Sequence, residues 1–116
     1  MYQYESIMIL TPVLSEDQAK EAVGKFRKIL KDEAATIIHE ESWGQQPSAR
    51  VLKMANHLEA DATKEGNLGS GKSTGYYHLF EFKCTPNTVK TLELAYKRDE
   101  RVLRFMTIRL DKFDLE

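Results

Sequence analysis

One run constrains this chain more than any other: Lys97 to Leu110, read as KRDERVLRFMTIRL. Beyond the polar corner Arg98-Asp99-Glu100-Arg101, residues Val102, Arg104, Met106, Ile108 and Leu110 fall on one side of an extended chain. Leu103, Phe105, Thr107 and Arg109 fall on the other. Both sides are largely apolar, which predicts an interior strand covered on both faces. Such a strand needs neighbours to pair with. Five basic residues against two acidic ones between Lys97 and Arg109, in a chain of net charge −1, also make the corner a place for a negative partner.

The 116 residues suffice for one domain with one core, and 41% hydrophobic with 30% charged residues is the balance of a soluble globular chain. No apolar stretch has the length needed to cross a bilayer, and no basic-then-apolar leader opens the sequence, which argues against secretion. The single cysteine, Cys84, excludes an internal disulfide, fits a reducing cytoplasm and reads as a small buried hydrophobe. Near-neutral charge argues against a general nucleic-acid glue but leaves room for a local basic patch.

In chain order, Tyr2 to Leu10 alternates as a strand that Thr11-Pro12 ends. Ser15, with Gln18 three residues on, is a capping-box start for a helix. Its apolar face is Ala19, Ala22, Val23, Phe26, Ile29 and Leu30, and it fades near Glu33. Ala35 to Trp43 is a more polar strand, nearer an edge, closed by Gly44. Tyr76 to Cys84 is another strand, with Tyr76, His78, Phe80 and Phe82 on one face. Thr85-Pro86 opens a helix bearing Val89, Leu92, Ala95 and Tyr96. The order β-α-β, irregular middle, β-α-β predicts an α+β, ferredoxin-like split βαβ sandwich (βαββαβ), spanning residues 1–116 as a single domain. Its four-stranded antiparallel sheet carries two helices on one face. In the middle, Ser48 caps a run with Val51, Leu52, Ala55, Leu58 and Ala62 at helical spacing, predicting an inserted helix of about four turns. Asn67 to Gly75 reads as a Gly/Ser-rich connector, so residues 45–71 form an insertion between the second and third strands.

Several clusters carry candidate chemistry. Lys97, Arg98, Arg101, Arg104 and Arg109 can clamp phosphates, unless Asp99 and Glu100 hold the arginines in place. Tyr2, Tyr4 and Trp43 can stack on bases or pack the core and sheet edge. Gly66 to Ser73 matches G-x-x-x-x-G-K-[ST], but it sits between a predicted helix and a predicted strand, the reverse of a phosphate-binding loop. His39, His57 and His78 lie on different elements, with no HxxxH or CxxC, so no metal or other cofactor is expected. No Ser-His or Cys-His pairing can be placed, so no enzymatic activity is expected.

Tyr4-Glu5 with Met8-Ile9-Leu10, Thr11-Pro12 and Leu14-Ser15, then Glu41-Ser-Trp43-Gly44, form the first part of a family resemblance. Lys72-Ser-Thr-Gly75-Tyr76-Tyr77 leading into Leu79-Phe80-Glu81-Phe82, and above all Arg98-Asp99-Glu100-Arg101-Val102 with Arg104-Phe105, complete it. Together these resemble bacterial small-subunit ribosomal protein six over residues 1–44 and 72–113. The resemblance implies the same sandwich, no enzymatic activity, a place on the cytoplasmic ribosome, and two partners. Those are the central domain of small-subunit rRNA and small-subunit ribosomal protein eighteen. On this reading Lys97, Arg98, Arg101, Arg104, Tyr2 and Tyr4 contact rRNA, while Trp43, Lys72 and Tyr76 contact the partner protein. The resemblance lapses over 45–71, where the family carries a basic hairpin arm with Leu-Ala-Tyr-Pro-Ile. An alternative is therefore an engineered scaffold in which a helix replaces that arm and native binding is weakened.

Overall fold

The computed structural model describes residues 1–44, 46–59, 67–68 and 75–110. Its elements are β1 (Tyr2–Leu10), α1 (Glu16–Asp32), β2 (Thr36–Ser42), α2 (Ala49–His57), β3 (Asn67–Leu68), β4 (Gly75–Cys84), α3 (Pro86–Arg98) and β5 (Val102–Arg109). The sheet runs β2-β4-β1-β5, with the two-residue β3 also paired to β4, and every pairing is antiparallel. This is the expected sandwich. Its centre is β1 and β4, two strands with seven and eight buried residues.

The strand after the arginine-rich corner is not interior. Among the described residues β5 pairs with β1 alone and lies at the edge of the sheet. Its two apolar sides reflect two partly covered faces rather than two neighbouring strands. Residues opposite one another in an antiparallel pair share a face, so the register Ser6↔Thr107 and Met8↔Phe105 turns Phe105 and Thr107 toward one layer. Ile7↔Met106 and Glu5↔Ile108 turn Met106 and Ile108 toward the other.

Helices α1 and α3 cover the first face. Ser15 caps α1 as expected, its hydroxyl accepting from the Gln18 N–H at 3.1 Å while the Gln18 side chain accepts from the Ser15 N–H at 2.8 Å. Thr85 makes no such bond, and α3 starts on the preset backbone angle of Pro86 alone. Ala19, Ala22, Val23, Phe26 and Leu30 of α1 are buried with Leu92 and Tyr96 of α3. Tyr96 lies between Phe26 and Phe105, ring centroids 4.8 and 5.1 Å away. Its hydroxyl meets Ser6 Oγ at 3.0 Å, and Thr107 Oγ1 donates to Ser6 at 2.9 Å. Burial pushes the Tyr96 phenol far above its ordinary pKa, so it stays a neutral hydrogen-bonding group.

The inserted helix covers the second face. Ser48 accepts from the Val51 N–H at 3.3 Å, and Val51, Met54 and Ala55 join the core cluster. It is shorter than the four turns expected, ending at His57, and residues 60–66 lie outside the described set. Part of its docking on the sheet is a polar clamp. Arg50 Nη1 lies 2.7 Å from Glu5 and 2.5 Å from Glu81, two buried carboxylates on adjacent strands that face each other across the β1–β4 register. Gln3 also donates to Glu81. At the start of β4, Gly75 has φ +151, and a Cβ there would meet the Leu10 carbonyl oxygen at 2.0 Å; only glycine lets the two strands close. Cys84 is buried, as expected, and burial raises its thiol pKa.

Candidate nucleic-acid interface

The corner is built where α3 gives way to β5. Its last helical turn carries Lys97 and Arg98, cations that suit the negative end of the helix dipole. A turn follows, with the Val102 N–H donating to the Asp99 carbonyl at 3.0 Å. Asp99 is buried, and its carboxylate organises the corner. It accepts from the Arg101 backbone N–H at 3.0 Å, from Arg101 Nε at 2.9 Å and Nη2 at 2.8 Å, and from Lys25 of α1 at 3.3 Å. The Arg101 guanidinium therefore holds the Asp99 carboxyl far below the usual carboxylate range and is itself raised. The Arg101 carbonyl accepts from the Thr11 N–H at 2.8 Å, tying the corner to the loop before α1.

This divides the predicted basic set by role. Arg101 is committed to the fold, as the reading of a self-paired corner anticipated, although of the two corner acids Asp99 does the pairing and Glu100 stays exposed. Lys97, Arg98 and Arg104 are exposed and form no ion pair among the described residues. Arg104 lies on the α2 side of β5, opposite Ile9.

Tyr2 and Tyr4 sit at the far end of β1, where Tyr4 pairs with Arg109. Seven or eight residues of strand separate them from the corner, roughly 20–25 Å. Tyr4 is buried and stacks on Phe82 at 5.9 Å, so its ring is spent in the core. Tyr2 is 38% exposed, with the Arg109 guanidinium 4.4 Å from its ring centroid. The two tyrosines and the corner thus form two separate places.

Trp43 and Tyr76 do meet, edge to face at 5.0 Å, and the Tyr76 hydroxyl donates to the Leu14 carbonyl at 2.9 Å. The register Leu10↔Tyr76 and Leu10↔Val102 puts this pair at the same end of the sheet as the corner, on the β2 side. Three strand spacings, about 14 Å, separate the two edges. Lys72 and all of the Gly66–Ser73 motif except the backbone of residues 67–68 lie outside the described residues.

Two part-buried polar clusters escaped the sequence reading. Glu40 of β2 accepts from Arg27 of α1 through both nitrogens, at 2.8–3.2 Å, and meets His78 Nε2 at 2.8 Å. His78 and Arg27 hold the Glu40 carboxyl at about 2, whereas burial lowers the His78 pKa and keeps its ring neutral. The second cluster is the Arg50–Glu5–Glu81 clamp. Only a polar residue recurring inside an apolar strand, at Glu5, His78 and Glu81, signalled either one.

An antiparallel sheet layered between helices, with an exposed cationic rim at one end, defines a ferredoxin-like domain. Residues 3–109 match the family described as ribosomal protein S6. Small ribosomal subunit protein bS6 of Phocaeicola vulgatus is 46% identical over 116 residues, covering 100% of this chain and 87% of the relative. That of Bacteroides fragilis is 47% identical with the same coverage. The solved 30S ribosomal protein S6 from Thermotoga maritima shares the fold, with a TM-score of 0.68 and 23% identity over 98% of this chain and 90% of its own. The chain belongs to the ribosomal protein S6 family. It is therefore a structural component of the small ribosomal subunit in the cytoplasm rather than an enzyme. The relatives match the chain across its whole length, middle included, so the engineered-scaffold reading has no support.

Proposed function

We propose that this protein binds the central domain of small-subunit rRNA together with small-subunit ribosomal protein eighteen. The observation that carries the reading is the set of exposed cations on the β5 side of one sheet end: Lys97, Arg98 and Arg104, unpaired among the described residues. Flexible exposed cations keep little intramolecular stabilisation to lose and release counterions when they meet phosphates. Arg101 contributes by fixing the turn that presents them. Of Tyr2 and Tyr4, Tyr2 has the ring surface to offer a base. The partner protein sits across the same end, on the β2 side near Trp43 and Tyr76, with Lys72 beyond the described residues.

Filter binding of a central-domain rRNA fragment tests this, with and without ribosomal protein eighteen and at two salt concentrations. Binding that strengthens with the partner and weakens steeply with salt supports the reading. Equal retention of an unrelated RNA, or none of either, contradicts it.

A further inference from the structure

The face that α2 covers is not covered to its edge. Between α2 and β5 lies a groove of about 390 Å³, lined by Lys53, Met54, His57, Met106 and Ile108. Its apolar part is two methionines and an isoleucine, and Ile108 is 39% exposed. Alternation along β5 sets Arg104, Met106 and Ile108 in one row on this face, so a guanidinium stands at the corner end of the row. Lys53 is exposed on the helical side. The charged residues of this lining and row are thus both cations. The two buried carboxylates of the central strands on this face, Glu5 and Glu81, are turned to Arg50.

We propose that this groove receives one unstacked base of an RNA strand, with Lys53 and Arg104 on the flanking phosphates. The inference rests on the RNA-binding reading above and extends it to a second contact, away from the corner. The Met106 thioether and the exposed Ile108 side chain, with the buried Met54 beneath them, offer an apolar seat to the face of a base, whatever its identity. The cations beside that seat match the one charge every nucleotide carries. A second copy of the chain would bring Arg104 and Lys53 against their own kind, which disfavours self-association there. Paired RNA buries its base faces and cannot enter.

The methionines allow a direct test. Of four in the chain, Met54 and Met106 line the groove, Met8 is fully buried on the opposite face, and Met1 is exposed at the terminus. The full chain, labelled with ¹³C at the methionine methyls, is titrated with the central-domain rRNA fragment, a ten-nucleotide oligoadenylate and a blunt RNA duplex, alongside fluorescence anisotropy. The Met54 and Met106 signals should move with the fragment and the oligoadenylate, while Met8 stays still and the duplex moves none of them. Ile108→Asp should weaken oligoadenylate binding about tenfold. Lys53→Glu, an exposed change that leaves the core alone, should weaken it several-fold. If the fragment binds with Met54 and Met106 unmoved, the groove inference is wrong and the RNA-binding reading stands. If no RNA binds, both fall. Movement of these signals with protein concentration alone, or with ribosomal protein eighteen but not RNA, would assign the groove to another occupant and overturn the proposal.

Discussion

The two faces of the sheet are built on different physical terms. The face under α1 and α3 is closed by 17- and 13-residue helices and an aromatic stack of Phe26, Tyr96 and Phe105. Among its polar groups, Ser6, Tyr96 and Thr107 hydrogen-bond one another. The other face is closed by nine residues of α2, three buried side chains and one arginine shared between two carboxylates. The lesson is that a single sheet can be a rigid core on one side and a partly open surface on the other. The groove lined by Lys53, Met54, His57, Met106 and Ile108 lies at the edge strand, where the second cover stops short.

The largest expected effect breaks the comparison from its strong side. Phe80→Ala, on the two-helix face, should cost about 4 kcal/mol, read as a shift in urea midpoint with unchanged slope. Met54→Ala on the α2 face should cost about 2 kcal/mol, because a short helix at the rim can settle into the space. Equal losses would mean that both faces are core of the same kind.

Arg50→Ala comes next. It leaves Glu5 and Glu81 buried without their shared cation, and should cost roughly 2 kcal/mol, less than for a fully buried ion because Arg50 is 43% exposed. The triple change Arg50→Met, Glu5→Gln, Glu81→Gln should recover most of that loss. Failure to recover would show that the clamp, not the apolar seal, holds α2 down.

Acid should loosen the first face through Glu40, Asp99 and His78. The folded carboxyls of Glu40 and Asp99 titrate below their unfolded values, Glu40 at about 2. Their contribution is complete above the unfolded carboxylate pKa, about 4. It disappears as pH falls through the folded values. Neutral His78, with its lowered pKa, acts in the same direction, starting as pH drops below about 6.5. The urea midpoint should therefore fall from pH 6 to pH 2, and Glu40→Gln should flatten that slope. A midpoint independent of pH would remove these groups from the account. The smallest effect is on local opening: α2 amides should exchange faster than those of α1, without global unfolding.

Much of the scaffold was legible because its signals are local. Ser15 with Gln18, the apolar stripe of α1, the alternation from Tyr76 to Phe82 and the Ser48 cap each depend on neighbours within a few residues. The position of β5 was not legible. Leu103 to Ile108 reports that two faces are covered, and a helix on the second face writes the same pattern as a second neighbouring strand would. Pairings such as Glu40 with His78, or Arg50 with Glu5, depend on register between distant segments, which one sequence does not display. The basic corner was legible as a cluster. Its division into a committed Arg101 and the exposed Lys97, Arg98 and Arg104 required the Asp99 geometry.

The salt dependence of binding to a central-domain rRNA fragment tests the central claim most directly, comparing the native chain with the Lys97→Ala, Arg98→Ala double variant. Both side chains are exposed and unpaired among the described residues, so the melting temperature should fall by a few degrees at most, the share lost with the helix-dipole contact. The slope of log affinity against log salt should become shallower by about 2, one for each phosphate that the variant leaves unneutralised. An unchanged slope with full affinity would mean that this rim does not meet the RNA.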